Sequence, residues 1–239
     1  MANFIIKEIP NALTSCNLLS GCVAVVCALN GDQWGALLFI VVGAVFDFFD
    51  GFSARLLHVS SPIGKELDSL ADDVTFGVAP SAMVFSWLRG CPYIAAMGEA
   101  GRIVPWMAFF LAAFSALRLA KFNIDERQTT TFIGLPTPAN ALFWSALVVG
   151  SPHLLWLSPW MVLVVVALII LCCWLLVAEI PMFSLKFKHW GWRGNATRYV
   201  FLLSAIVLII LFHISGLAVA IAWYVVLAIT TGLRSKGGA

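Results

Sequence analysis

FDFFDGFSARLLHVSSPIGKELDSLADD, residues 46–73, carries six of the chain's twelve acidic side chains: Asp47, Asp50, Glu66, Asp68, Asp72 and Asp73. The rest of the chain is oily: the 239 residues are 62% hydrophobic and 11% charged. Soluble domains carry roughly 25% charged residues, so this chain cannot cover a water-facing surface. Residues 161–178, MVLVVVALIILCCWLLVA, are an unbroken apolar run of 18, enough for a transmembrane helix. Composition therefore predicts an integral membrane protein with almost no extramembrane part. A net charge of +2 is too small to imply a nucleic-acid partner.

Hydrophobic runs and breaker clusters predict an all-α polytopic membrane helix bundle. About eight spans are expected, near 12–30, 34–57, 64–88, 105–123, 137–151, 159–179, 197–213 and 216–233, in a single domain over 1–239. Lys7 is followed by Glu8 and then by polar Thr14, Ser15 and Asn17, so the first segment is expected to stay as a helix rather than be cleaved as a signal peptide. With a cytoplasmic N-terminus, twelve of the fourteen basic residues fall on one side and only Arg89 and Arg102 on the other. That bias predicts both termini in the cytoplasm, in the cytoplasmic membrane. Trp34, Trp87, Trp106, Trp156 and Trp160 fall near span ends, where indoles favour the interface. SLKFKHWGWRGN, 184–195, mixes cations with aromatics and is expected on the cytoplasmic membrane surface. The six cysteines show no metal-ligand or disulfide pattern, and the four histidines show no catalytic pairing. Pro80 is expected to kink the third span.

On this map the opening stretch covers the end of the second helix, a short cytoplasmic turn and the start of the third. Asp47, Asp50 and Ala54 stand at i, i+3, i+7 and share one helix face; Gly64, Asp68 and Asp72 stand at i, i+4, i+8 and share another. Two antiparallel helices joined by a turn can aim these faces at each other. Four converging carboxylates repel, and burying an unpaired charge is costly. No Lys or Arg alternates with them on those faces. Hard divalent cations suit such a site, and Mg²⁺ shares its shell readily with substrate phosphate; a metal pair can clamp the attacking and leaving oxygens of a phosphoryl displacement. Small Gly51, Ala54 and Gly64 would let a nucleotide approach the backbone.

The pattern Asp47-x2-Asp50-Gly51-x2-Ala54-Arg55-x8-Gly64-x3-Asp68-x3-Asp72 resembles, at all eight fixed positions, the signature of the CDP-alcohol phosphatidyltransferase family. The resemblance implies a six-helix core, here about 10–190 with 197–233 as two additional spans. It also implies a homodimer, a site open to the cytoplasm, and two divalent metals, Mg²⁺ or Mn²⁺. By it Asp47, Asp50 and Asp68 look like metal ligands, and Asp72 like a metal-side carboxylate that is also the general base. Gly51, Ala54, Arg55 and Gly64 look like the cytidine diphosphate cradle. Asp73 and Glu66 lie outside the motif and are read as neighbours.

Further segments resemble the membrane-embedded phosphatidylserine synthases of that family: PNALTSCNLLSG (10–21), GKELDSLADDVTFGVAPS (64–81), ALRLAKFNID (116–125), FIGLPTPANA (132–141) and MFSLKFK (182–188). They imply CDP-diacylglycerol and L-serine as substrates, giving phosphatidylserine and CMP. Thr14 and Asn17, one face of the first helix, are candidates for the CDP-lipid or for joining helices. Lys65 is a candidate for phosphate or a helix-end lysine. Arg118, Lys121, Asn123 and Arg127 are candidates for the serine carboxylate or the lipid diphosphate, with membrane anchoring as the plain alternative. Glycerol 3-phosphate and inositol remain alternative acceptors. A metal-ion transporter would instead spread its acids over several spans.

Overall fold

The computed structural model describes residues 2–59, 61–125, 132–182, 191 and 195–236. Two long helices, α1 (Ala2–Leu29) and α2 (Gln33–Leu56), form an antiparallel hairpin. The turn between them is set by Asp32, whose carboxylate accepts the Gly35 N–H at 2.8 Å and caps α2. After the loop, Ser61 caps α3 (Pro62–Asp72) by accepting the Gly64 N–H at 2.9 Å, with Pro62 in the first turn. The helix then widens into a π-helical turn over Asp73–Val78 and resumes as α4 (Ala79–Arg89). The expected irregularity at Pro80 thus takes the form of this wide turn just before it. Proline cannot donate to the carbonyl four residues back, and the wide turn absorbs the mismatch.

Short α5 (Pro92–Ala96), α6 (Glu99–Ile103) and a 3₁₀ turn (Val104–Phe109) lead into α7 (Phe110–Ile124). Then come α8 (Thr137–Gly150), α9 (Pro159–Val177) and α10 (Ala196–Lys236). One antiparallel pairing of two-residue strands, β1 (Phe132–Ile133) with β2 (Pro181–Met182), ties the start of α8 to the end of α9. Gly134 beside it has φ 75°, and a Cβ there would lie 2.8 Å from the Leu176 carbonyl, so only glycine fits.

The described residues form an all-α bundle. Five helices are long and apolar enough to cross a membrane: Glu8–Leu29, Gln33–Leu56, Glu99–Ile124, Pro159–Val177 and Ala196–Thr231. The last covers two of the expected spans, joined at His213, where φ 52° breaks the helical path. The other two expected spans are the interrupted helix of α3 and α4 and the 14-residue α8. Most of the 184–195 stretch lies outside the described residues.

Ile40, Phe76, Met83, Leu88, Leu111, Trp144 and Ile169 are fully buried at the bundle centre. Apolar side chains also cover the outside: Leu38, Phe48, Leu163, Ile170, Ile206 and Leu211 are all exposed. A bundle solvated by lipid needs no polar coat.

At one point three helical segments touch almost backbone to backbone. A Cβ on Gly21 would lie 2.9 Å from Thr75 Cα, and one on Gly43 would lie 2.5 Å from Thr75 Cγ2. Thr75 donates its hydroxyl to the Asn17 carbonyl at 3.0 Å. This junction locks α1, α2 and the π-helical turn one turn beyond the acidic face.

Candidate active site

Asp47 and Asp50 come from the last turns of α2, and Asp68 and Asp72 from α3. Asp47, Asp50 and Asp68 each offer a carboxylate oxygen within 4.8 Å of the other two, a spacing that could hold a metal ion. Asp72 completes the group: it meets Asp47 directly, and the charges of Asp68 and Asp50 act on it as well. Two of the acids are held by α1. The Thr14 hydroxyl lies 2.6 Å from Asp50 Oδ2, and the Asn17 amide donates to Asp72 Oδ1 at 3.1 Å. Asp68 Oδ1 is buried and has no hydrogen-bond partner. A buried carboxylate oxygen without a donor, among three more carboxylates, fits a cation and little else.

A cavity of about 270 Å³ opens beside this group, lined by Pro10, Asn11, Thr14, Asp50, Gly51, Ala54, Val59, Ser61, Gly64, Lys65 and Asp68. A Cβ on Gly51 would meet nothing within 4 Å, so any side chain there would project into free space beside the acids. Arg55 stands exposed in the last turn of α2, next to cavity-lining Ala54.

Three further candidates, Arg118, Lys121 and Asn123, belong to α7. Arg118 and Lys121 line a second cavity, about 350 Å³, between the end of α7 and the end of α9. Arg118 is only 7% exposed, lies under the Phe122 ring at 5.9 Å, and is within electrostatic reach of Asp72. Asn123 instead joins two helices: its amide donates to Ser69 Oγ at 2.8 Å, and its carbonyl accepts from Lys65 Nζ at 2.9 Å. Arg127 lies outside the described residues.

Spacing alone left the partners of Thr14 and Asn17 open. Their orientation of carboxylates is a tertiary fact, signalled in the sequence only by two polar residues one turn apart on an oily helix. Pro80 marked an irregularity in this helix but not its π-helical form, and the Asn123–Ser69–Lys65 clasp has no marker in the sequence.

Three curated proteins illustrate what the chain is similar to, each described as a CDP-diacylglycerol–serine O-phosphatidyltransferase. That of Bacillus subtilis is 41% identical over 131 residues, covering 54% of this chain and 69% of that protein. That of Mycobacterium leprae is 29% identical over 194 residues, covering 74% of this chain and 58% of that protein. That of Saccharomyces cerevisiae is 36% identical over 157 residues, covering 59% of this chain and 52% of that protein. The chain thus spans from about half to about two thirds of the length of these relatives. The family profile described as CDP-alcohol phosphatidyltransferase matches residues 7–149, more than half of the chain. That stretch runs from α1 to α8 and contains all four carboxylates with the helix that orients them, and by this match the chain belongs to the CDP-alcohol phosphatidyltransferase family.

Proposed function

We propose that this protein transfers the phosphatidyl group of CDP-diacylglycerol to the hydroxyl of L-serine, giving phosphatidylserine and CMP. The observation that carries the reading is the carboxylate group of Asp47, Asp50, Asp68 and Asp72 beside the Gly51–Ala54–Gly64 cavity. Its similarity to relatives named for serine supports the acceptor. The four Asp would hold a pair of divalent cations, Mg²⁺ or Mn²⁺, which when bound would neutralise the diphosphate and the charge that develops on it.

The chain's own groups account for the rest. The cytidine diphosphate occupies the cavity, where Gly51 leaves the backbone open to it, Ala54 and Gly64 line the wall and Lys65 adds a positive charge. Thr14 and Asn17 fix Asp50 and Asp72 so that neither must reorganise during reaction. Asp72 accepts the proton of the serine hydroxyl as that oxygen bonds to the lipid-side phosphorus. The bond from that phosphorus to the CMP oxygen breaks, and Arg55, exposed beside Ala54, reaches the departing phosphate. The acidic face lies at the cytoplasmic end of its helices, and the family resemblance carries a homodimer with it.

The test is CMP release from CDP-diacylglycerol by purified protein with serine, glycerol 3-phosphate or inositol. Serine-dependent release supports the reading; release driven by either of the others and not by serine rejects it.

A further inference from the structure

Asp73 follows Asp72 directly, yet it points to a different neighbour. A Cβ on Gly77 would lie 2.6 Å from Asp73 Oδ1 and 3.0 Å from Ser115 Cβ, so Asp73 and Ser115 face each other across that glycine. Ser115 belongs to α7. The register of this antiparallel packing is fixed at both ends, by Asn123 on Ser69 and by Gly77 on Ser115. Asp73 is midway between Ser69 and Gly77, which brings it level with Arg118 and Leu119.

Three buried polar atoms on these two helical segments have no hydrogen-bond partner: Asp73 Oδ1, Ser115 Oγ and Arg118 Nε. Ser115 is fully buried, and Arg118 is 7% exposed. Among the described residues no ion pair within 4 Å joins Asp73 to Arg118. Native interiors seldom leave a carboxylate oxygen, a hydroxyl and a guanidinium nitrogen unsatisfied. A ligand carrying both charges would satisfy them together.

We infer that Asp73, Ser115 and Arg118 form the acceptor pocket, with Arg118 on the carboxylate of the amino acid, Asp73 on its ammonium and Ser115 hydrogen-bonded between them. The inference rests on the serine reading above and deepens it. A guanidinium suits a carboxylate by its paired donors. Asp72 and Asp73 are consecutive in the chain, so the residue assigned to the ammonium adjoins the residue assigned as base. Arg118 also lines the second cavity, with Lys121, Asp125 and Glu179 around it, which gives a zwitterion a polar way in. A phosphate acceptor without an ammonium would meet Asp73 as a repulsion, so this residue also selects against glycerol 3-phosphate.

The experiment compares wild type, Asp73→Asn and Asp73→Glu in CMP release from CDP-diacylglycerol. The acceptors are serine and 3-hydroxypropanoate, which keeps the hydroxyl and carboxylate but lacks the ammonium. Asp73→Asn should raise the KM for serine roughly tenfold or more while the KM for CDP-diacylglycerol stays put and that for 3-hydroxypropanoate stays the same or falls. Asp73→Glu should keep more of the preference for serine than Asp73→Asn does. An unchanged serine KM, or equal losses with both acceptors, overturns the pocket. Should Asp73→Asn fail to bind CDP-diacylglycerol, the wild type decides alone: 3-hydroxypropanoate must bind roughly tenfold or more weaker than serine, and equal binding overturns the inference. A wild type that ignores serine altogether overturns the acceptor reading itself, and the pocket with it.

Discussion

Asp72 has an amide donor on one oxygen and the Asp47 carboxyl as a neighbour. Asp72→Asn keeps its shape and removes its basicity. Turnover should fall by about 10²–10⁴-fold, the usual worth of a general base, with CDP-lipid binding retained; rapid-quench turnover and equilibrium binding on the same protein check this. Asn17 touches the acid and not the cavity, so Asn17→Ala should lower kcat by roughly 10–100-fold, as expected for loss of an orienting partner, with little change in the KM for CDP-diacylglycerol. Asp68 brings a carboxylate oxygen with no partner of its own. Asp68→Asn should abolish Mn²⁺ binding followed by electron paramagnetic resonance, and activity with it. At this scale the four Asp were legible because helical spacing alone puts them on two faces. Thr14 and Asn17 were visible only as polar residues, since which carboxylate each one meets depends on how α1 crosses the other two helices.

Helix α3 and the π-helical turn are placed by packing rather than by propensity. Gly43 and Gly51 lie two turns apart on α2 but do different work. Around Gly43 a side chain would strike Thr75, whereas around Gly51 it would enter open space. Gly43→Val should therefore lower stability by about 1–3 kcal/mol, as overpacking does, read as a drop in thermal unfolding temperature in detergent. Gly51→Val should leave that temperature near wild type and raise the KM for CDP-diacylglycerol. Most helices could be read from the sequence, because long apolar runs and the Asp32 and Ser61 caps are local signals. Pro80 signalled an irregularity, but the form of the wide turn at 73–78 was not legible: Thr75 and Gly77 there pack against α1, α2 and α7 at once. That same turn follows Asp72 immediately and turns Asp73 toward α7.

Across the whole molecule, the proposed cytoplasmic placement of the acidic face rests on twelve basic residues against two. In intact cells, a membrane-impermeant maleimide should label Gly98→Cys in a background free of other cysteines and should leave Val59→Cys unlabelled until the membrane is opened. The reverse pattern would invert the topology. Composition, the apolar runs and the eight fixed motif positions were enough for a membrane helix bundle with two acidic faces and a family. These are local properties, written in spacing and in solvent preference. Tertiary structure decided which groups complete the site. Thr14 and Asn17 reach carboxylates 36 and 55 residues away, and Asp73 comes level with Arg118 through the register set by Asn123 and Gly77. Contacts of that separation depend on helix crossing and register, which close packing of small residues fixes and no local periodicity encodes.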